Sequence, residues 1–240
     1  MSGHSHFKTV KATKDANDAK RGKIFSKLGL VITLAAKEKG GDIITNVKLK
    51  NAIDKAKEFN MPKDNIERAI KKGTGELKGE NLEEVSFEGF GPSGIALIIE
   101  GITDNKNRTI GEIKGILNQY NGKLAQEGAV RWMFDKLGQV VIDSSQTNTS
   151  KDELELIIIE SGALNFSFED NILYVYTKPD DLERIKKTLE GQNIKIEEAG
   201  LYWVAKEEIT IDEKGKNMAK KLFEALDEND AVQDIYSNLK

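Results

Sequence analysis

Hydrophobic residues in the first third of the chain recur at the three- and four-residue spacing of amphipathic helices. The stripe between Asp18 and Lys39 predicts one helix, which Gly40-Gly41 ends, and Asn46 is expected to cap a second. A third is predicted with Pro62 in its first turn and Gly73 just past its end. Their predicted inner positions are Ile24, Leu28, Val31 and Ala35; Leu49, Ile53 and Ala56; and Ile66, Ala69 and Ile70. Short connections between such helices favour an antiparallel bundle.

After Gly75 the pattern changes to short apolar runs separated by glycine and proline. Strand, turn and strand are predicted over 83–104, and the unbroken apolar run Ile95–Ile99 is typical of a buried strand. A helix is predicted over Asn107–Tyr120 and a further strand over Ala129–Phe134. This series therefore predicts a sheet with one helix packed on it.

The following segment predicts a complete βαββαβ unit, as in ferredoxin-like folds. Its strands are predicted at Val140–Ile142, Ala163–Phe168, Ile172–Thr177 and Ile194–Val204, and its helices at Ser150–Ser161 and Pro179–Leu189. Ser150 with Glu153 predicts a capping box at the start of the first helix. A helix over Lys214–Asp227 and a strand over Ala231–Tyr236 are left without partners, so we expect them to complete the preceding sheet.

The predicted fold class is α+β. A basic arm and three-helix bundle at 1–77 precede two α/β-sandwich (ferredoxin-like) domains, one inserted in the other. The discontinuous domain comprises 78–136 plus 206–240, and the inserted domain comprises 137–205.

Charge is distributed unevenly along this architecture. Residues 1–75 contain 17 Lys/Arg and 8 Asp/Glu, a net charge of +9, whereas residues 76–240 contain 19 and 32, a net charge of −13. The chain has no cysteine, which excludes disulfides, thiolate metal sites and cysteine catalysis. It also has no apolar run long enough to span a membrane and no secretory signal, so we expect a cytoplasmic protein with no membrane partner.

The basic end predicts contact with a phosphate backbone, because clustered positive charge is the electrostatic footprint of nucleic-acid binders. Taken singly, each lysine is as well explained by a solvated face or by complementing a helix C-terminus. As a group they form a candidate nucleic-acid surface, whose predicted members are Lys8, Lys11, Lys14, Lys20, Arg21, Lys23, Lys27, Lys71 and Lys72.

A second candidate site is the polar loop Thr103–Thr109, which precedes a predicted helix. Asp104 or Asn107 is expected to cap that helix. Arg108 at a helix start opposes the helix dipole and therefore favours a nearby anion. The candidate partner or anion loop thus consists of Asp104, Asn105, Asn107 and Arg108.

No catalytic or metal-binding pattern stands out. Gly89–Gly94 matches the spacing G-x-G-x-x-G, but a strand follows it where a dinucleotide site needs a helix, so a turn is predicted. His4 and His6 are the only histidines, and no third ligand accompanies them. Trp132 and Trp203 are both predicted to lie in strands and to be buried. We therefore expect no enzymatic activity, no cofactor and no metal.

Several segments resemble the YebC/PmpR family. They are Gly3-His4-Ser5, Arg21–Phe25, Asn60–Gly73, Gly89–Pro92, Thr103–Asn105 and Trp132–Phe134, and the match continues to about residue 138. The resemblance implies a cytosolic three-domain α+β protein that regulates transcription by binding DNA. It also implies an alternative, since relatives are associated with translation on the ribosome.

The chain departs from the family at a few positions. Family members carry Lys-Trp where this chain has His6-Phe7, Arg-Glu where it has Leu30-Val31, and Asp-Pro where it has Asp42-Ile43. Leu30-Val31 makes the first helix more apolar on a side expected to face water.

Three hypotheses follow: a DNA-binding transcriptional regulator, a translation factor that binds ribosomal RNA or the ribosome through the same basic end, and an enzyme with a nucleotide pocket. The third rests on the glycine turn alone. Homo-oligomerisation is left open.

Overall fold

The computed structural model describes residues 18–147 and 149–240, with side chains from Arg21 onward. It confirms the predicted α+β class, because helices at the N-terminus precede two antiparallel four-stranded sheets. The described residues separate into two compact units. One contains the chain up to Arg131 together with Glu208–Lys240, and the other is Trp132–Glu207.

Three helices form the bundle: α1 (Asp18–Lys39), α2 (Val47–Glu58) and α3 (Lys63–Gly73). The buried core comprises Leu28, Ile32, Ala35 and Ala36 of α1, Leu49, Ala52, Ile53 and Ala56 of α2, and Met61, Ile66 and Ala69. Asn46 is the predicted cap of α2, because its Oδ1 accepts the Leu49 N–H at 3.0 Å. Its amide nitrogen also donates to the Ala35 and Gly40 carbonyls, both at 2.8 Å, so one buried side chain satisfies the end of α1 and the start of α2.

Gly73 is the last residue of α3 rather than a residue beyond its end, and Thr74 is the C-cap. A Cβ placed on Gly73 would lie 2.3 Å from the Thr33 carbonyl oxygen and 2.7 Å from the Ala36 Cβ. The glycine is therefore needed because α1 and α3 approach each other closely here, not because of a left-handed turn.

The first sheet has strand order β3-β1-β2-β8 and is antiparallel throughout. Its elements are β1 (Glu83–Phe90), β2 (Ala96–Thr103), α4 (Lys106–Gln119), β3 (Lys123–Leu124), α7 (Glu213–Asp227) and β8 (Val232–Ser237). Both helices contribute to its core, through Ile113 and Leu117 of α4 and Ala219, Leu222 and Leu226 of α7. The C-terminal helix and strand thus complete this sheet.

The pairing of β8 with β2 runs from Leu97 to Gly101 and contains an irregularity after Glu100. A Cβ on Gly101 would lie 2.4 Å from the Ala231 carbonyl oxygen, which accepts the Ile102 N–H at 2.8 Å. Glycine therefore permits the strands to close at this bulge. At the other end of β2, the Asn238 Oδ1 accepts the buried Ala96 N–H at 2.8 Å.

The bundle packs on this sheet through a small apolar cluster. Its buried part consists of Leu34 of α1, Leu82 just before β1, and Ile102 of β2. Leu30 and Val31 of α1 pack against these residues. The expectation that Leu30-Val31 faces water is therefore wrong. The apolar pair occupies the helix face that contacts the sheet, where burial of hydrocarbon is favourable.

The second sheet has strand order β5-β6-β4-β7, also antiparallel. Its elements are β4 (Phe134–Asp143), α5 (Lys151–Ser161), β5 (Asn165–Glu169), β6 (Ile172–Thr177), α6 (Leu182–Gly191) and β7 (Glu198–Ala205). The order and the βαββαβ sequence are those of the predicted ferredoxin-like unit. Ser150 caps α5 as predicted, since its Oγ accepts the Glu153 N–H at 3.3 Å.

The prediction that the bundle is a domain of its own remains a proposal, since the compact unit described above joins the bundle to the first sheet. The same holds for the proposed domain boundaries at 77/78, 136/137 and 205/206. Within the described residues, no helix combines the length and apolarity needed to cross a membrane.

The strand predicted over Ala129–Phe134 is wrong. Turns precede a 3₁₀ helix at Arg131–Met133, and β4 begins only at Phe134. The Glu88 carboxylate explains the difference, because it accepts the N–H groups of Gly128 at 2.8 Å, Val130 at 2.6 Å and Arg131 at 2.9 Å. Those donors are consequently unavailable to a strand ladder.

Glu88 is 3% exposed, so its charge is held in the protein interior. Burial opposes ionisation, but the three N–H donors and the Arg131 guanidinium outweigh it and lower the pKa of Glu88 below its ordinary value. The carboxylate therefore organises the loop before β4 as an anion.

The burial predicted for Trp132 is also wrong, since its side chain is 67% exposed within the 3₁₀ helix. Trp203 lies in β7 as predicted and is half-buried, with the Lys136 ammonium 5.2 Å from its ring centroid. The apolar neighbours of Trp132 in sequence misled the prediction because the local backbone is a tight turn.

We expect Gly73→Ala to lower the free energy of unfolding by about 1–3 kcal/mol, since the added methyl group forces α1 and α3 apart. The matched control is Gly111→Ala, at an exposed position of α4 with nothing within 4 Å of its built Cβ, where alanine should stabilise by about 0.5–1 kcal/mol. Denaturant unfolding measures both. Equal effects of the two substitutions would contradict the close approach.

Glu88→Gln should lower the free energy of unfolding at pH 7 by about 1.5–3 kcal/mol, as expected for loss of charge-assisted hydrogen bonds. The folded-state pKa lies below the unfolded value of about 4.3, so this stabilisation is present above that value and is lost as pH falls through the folded pKa. The difference between native protein and variant should therefore shrink in acid. Glu83→Gln, at an exposed position of the same strand, should change stability little at any pH.

Candidate nucleic-acid interface

The predicted basic residues are only partly covered by the structure. Lys8, Lys11, Lys14 and the side chain of Lys20 lie outside the described residues. Arg21 is exposed on the first turns of α1, with its guanidinium carbon 6.0 Å from the centroid of the Phe25 ring. Of the predicted set, Arg21, Lys23, Lys27, Lys71 and Lys72 therefore have a described environment.

Lys27 is partly buried and paired with an acidic residue. Its ammonium donates to the Asp227 Oδ1 at 2.8 Å and to the Asp227 carbonyl oxygen at 2.7 Å, and its side chain is 13% exposed. Asp227 is the last residue of α7, so the cation also lies at the negative end of a helix dipole.

Lys23 lies one turn before Lys27 and has a similar environment. Its ammonium pairs with the Glu228 carboxylate at 2.5 Å, and its side chain is 26% exposed. Lys23 and Lys27 were predicted to belong to the nucleic-acid surface. The structure instead engages both with acidic residues at the C-terminal end of α7, because the closing of the first sheet brings that helix against the bundle.

Two further lysines connect the bundle with the first sheet. Lys37 donates to the Asn81 Oδ1 at 2.6 Å and to the Leu82 carbonyl at 2.9 Å. Lys48 pairs with Glu38 at 2.9 Å and with Glu84 of β1 at 3.5 Å. The hydrogen bond to Glu38 and the charges of both acids raise the pKa of Lys48, although burial acts in the opposite direction. Part of the bundle's positive charge is thus used to attach the bundle to the first sheet.

Lys71 and Lys72 are exposed on α3, as is Arg68 three and four residues before them. Residues at this spacing share one face of a helix. Among the residues that the structure describes, none of these three cations is in an ion pair. We call Arg68, Lys71 and Lys72 the α3 basic face. Arg68 was not among the predicted residues, although the apolar Ile66 and Ala69 on the other side of the helix indicate that it faces outward.

The helix after the polar loop has a different N-cap from the one predicted. Asn105, not Asp104 or Asn107, is the N-cap, since its Oδ1 accepts the Arg108 N–H at 3.1 Å. The Arg108 guanidinium pairs with Asp104 at 2.5 Å and lies 3.7 Å from Glu112. The anion that Arg108 was expected to need is therefore supplied by residues of the same segment.

The glycine-rich segment forms the predicted turn between β1 and β2. Ser93 and Gly94 both have left-handed backbones, with φ of 57° and 80°. The turn borders a depression of about 320 Å³ lined by Phe90, Gly91, Ser93, Gly94, Asn121, Gly122 and Lys123. Lys123 is the single charged group of this lining and lies 5.4 Å from the Phe90 ring centroid. The lining thus contains no pair of groups suited to acid–base catalysis.

Comparison with known proteins places this arrangement in a family. The model for the TACO1/YebC protein N-terminal domain matches residues 5–76, and the model for the TACO1/YebC second and third domain matches residues 82–239. The chain belongs to the TACO1/YebC family. The resemblance found in its sequence motifs is therefore confirmed.

Similar family members span the same length. A probable transcriptional regulatory protein of Thermoanaerobacter pseudethanolicus is 47% identical over 100% of this chain and 97% of its own. Another, from Halothermothrix orenii, is 46% identical over 99% and 94%. The crystal structure of a conserved hypothetical protein from Aquifex aeolicus is 38% identical, with a TM-score of 0.84 over 93% of this chain and 91% of that one.

The Lys27–Asp227 pair should show a coupling free energy of about 1 kcal/mol in a double-mutant cycle built from Lys27→Met and Asp227→Asn. The matched control is the exposed Lys63–Glu67 pair, 3.5 Å apart, where coupling should be near zero. Denaturant unfolding at low and high salt measures both cycles. A coupling at Lys27–Asp227 no larger than that of the control would show that the contact does not hold the bundle.

Proposed function

We propose that this protein is a cytoplasmic, non-enzymatic transcriptional regulator that binds DNA through its basic N-terminal end. The observation that carries the proposal is the division of charge, +9 over residues 1–75 and −13 over the remainder. The names of the relatives, probable transcriptional regulatory proteins, support it. Phosphate neutralisation supplies most of the sequence-independent affinity of such proteins.

The proposed DNA-binding residues come from two sources. Lys8, Lys11, Lys14 and Lys20 are retained from the sequence prediction. Arg21 and the α3 basic face of Arg68, Lys71 and Lys72 are exposed in the described part of the chain. Lys23 and Lys27 are omitted from this set because Glu228 and Asp227 neutralise them. Clustered lysines and arginines of this kind suit contacts with the phosphate backbone more than sequence readout.

The acidic remainder of the chain restricts where a nucleic acid can bind. A net charge of −13 repels a polyanion from the two sheets. Binding is thereby limited to the bundle, while the sheets remain available for contacts with other proteins.

Full-length protein should bind duplex DNA with a log affinity that falls against log salt with a slope of about −4 to −6, as expected for about five to seven neutralised phosphates. Replacing Arg68, Lys71 and Lys72 together with Gln should flatten the slope by about two to three and weaken binding at low salt. Fluorescence anisotropy at several salt concentrations measures both quantities. The matched control replaces Lys187, Lys220 and Lys221 with Gln. These lysines are exposed in the acidic remainder, and their replacement removes the same charge.

Two outcomes would count against the proposal. If the control variant lost as much affinity as the α3 variant, net charge rather than a defined surface would govern binding. If a structured ribosomal RNA fragment bound at least tenfold more tightly than duplex DNA at physiological salt, the translation-factor alternative would replace regulation of transcription.

A further inference from the structure

Helix α5 exposes large apolar side chains on the face turned away from its sheet. Leu154 and Ile158 are fully buried against the sheet, whereas Leu156 and Ile159 are 60% and 61% exposed. Leu164, just beyond the helix, is 52% exposed. A helix that covers one face of a sheet normally has polar residues outside, so several exposed aliphatic side chains on one element indicate an interaction surface.

Carboxylates surround this apolar stripe. Asp152 and Glu160 lie four residues before and after Leu156, and Glu155 lies four residues before Ile159, so helical geometry places all three beside it. Glu153 adds a fourth acid in the first turn. In the part of the chain that the structure describes, none of the four is in an ion pair. Lys151, the sole basic residue of α5, lies over the Phe168 ring at 4.2 Å.

We propose that this acidic-apolar surface, consisting of Leu156, Ile159 and Leu164 with the acids Asp152, Glu153, Glu155 and Glu160, binds a basic amphipathic segment of a partner protein. The aliphatic side chains bury the apolar face of that segment, and the carboxylates pair with its Lys or Arg residues. The surface belongs to the acidic part of the chain, so it is independent of the proposed DNA-binding end.

Charge decides among the other candidate occupants. A nucleic acid or an anionic lipid surface is repelled by four carboxylates. A second copy of this chain is disfavoured, because a two-fold symmetric contact through this surface sets the four acids against the same four acids. A partner with positive charge beside apolar residues is complementary in both respects.

The test uses full-length protein and a fluorescein-labelled 18-residue peptide of leucine and lysine arranged to form an amphipathic helix. We expect binding in the micromolar range by anisotropy, weakened at least tenfold by Leu156→Ser combined with Ile159→Ser. Glu155→Gln combined with Glu160→Gln should weaken binding severalfold and reduce its salt dependence, without touching the apolar stripe. The matched control is Ile44→Ser, at an 87% exposed position of the bundle, which should leave affinity unchanged.

Controls on the peptide separate shape from charge. A scrambled peptide of the same composition should bind at least fivefold more weakly, since it presents no continuous apolar face. Equal binding of both peptides, or equal loss in Ile44→Ser, would overturn the proposal. So would concentration-dependent dimerisation, measured by light scattering, that disappears in the Leu156/Ile159 variant, because the occupant would then be a second copy.

Discussion

The antiparallel pairing of β8 with β2 is the contact on which the first unit of the protein depends. β2 is almost entirely buried, so a bare edge would leave its N–H and C=O groups without partners in an apolar environment. β8 fills that edge, and α7, which precedes it, covers the sheet face. The same pairing places Asp227 and Glu228 beside α1. Completion of the sheet and the ion pairs of Lys23 and Lys27 thus follow from one strand pairing.

Docking divides the bundle's cations into two groups with different physical roles. One group connects the bundle with the first sheet and comprises Lys23, Lys27, Lys37 and Lys48, while Leu34 supplies the apolar part of that contact. Exposed ion pairs contribute little individually, so the partly buried Lys27 pair and the apolar cluster carry most of the attachment. The α3 basic face takes no part in it. A charge excess measured over a segment therefore overstates the charge that a ligand can reach.

The elements with strong local signals were predictable from the sequence. Asn46, Ser150 and the apolar stripes of the bundle act within one or two helical turns, and the structure agrees with them. The failures involve distant partners. The turn before β4 depends on Glu88, about forty residues away, and the pairing of Lys27 depends on Asp227, two hundred residues away. No local sequence pattern contains those partners. The local pattern therefore predicted a strand where the chain turns, and an accessible cation where Lys27 is paired.

The long separation between β2 and its partners has a consequence for synthesis. Asn238, the partner of the Ala96 N–H, is synthesised 142 residues after it. Asp227, the partner of Lys27, is synthesised 200 residues after it. A nascent chain that has only reached β2 lacks the acidic partners of Lys23 and Lys27, and the edge of its first sheet is still open. Synthesis of α7 and β8 then supplies both the missing strand of the sheet and the carboxylates that pair with Lys23 and Lys27.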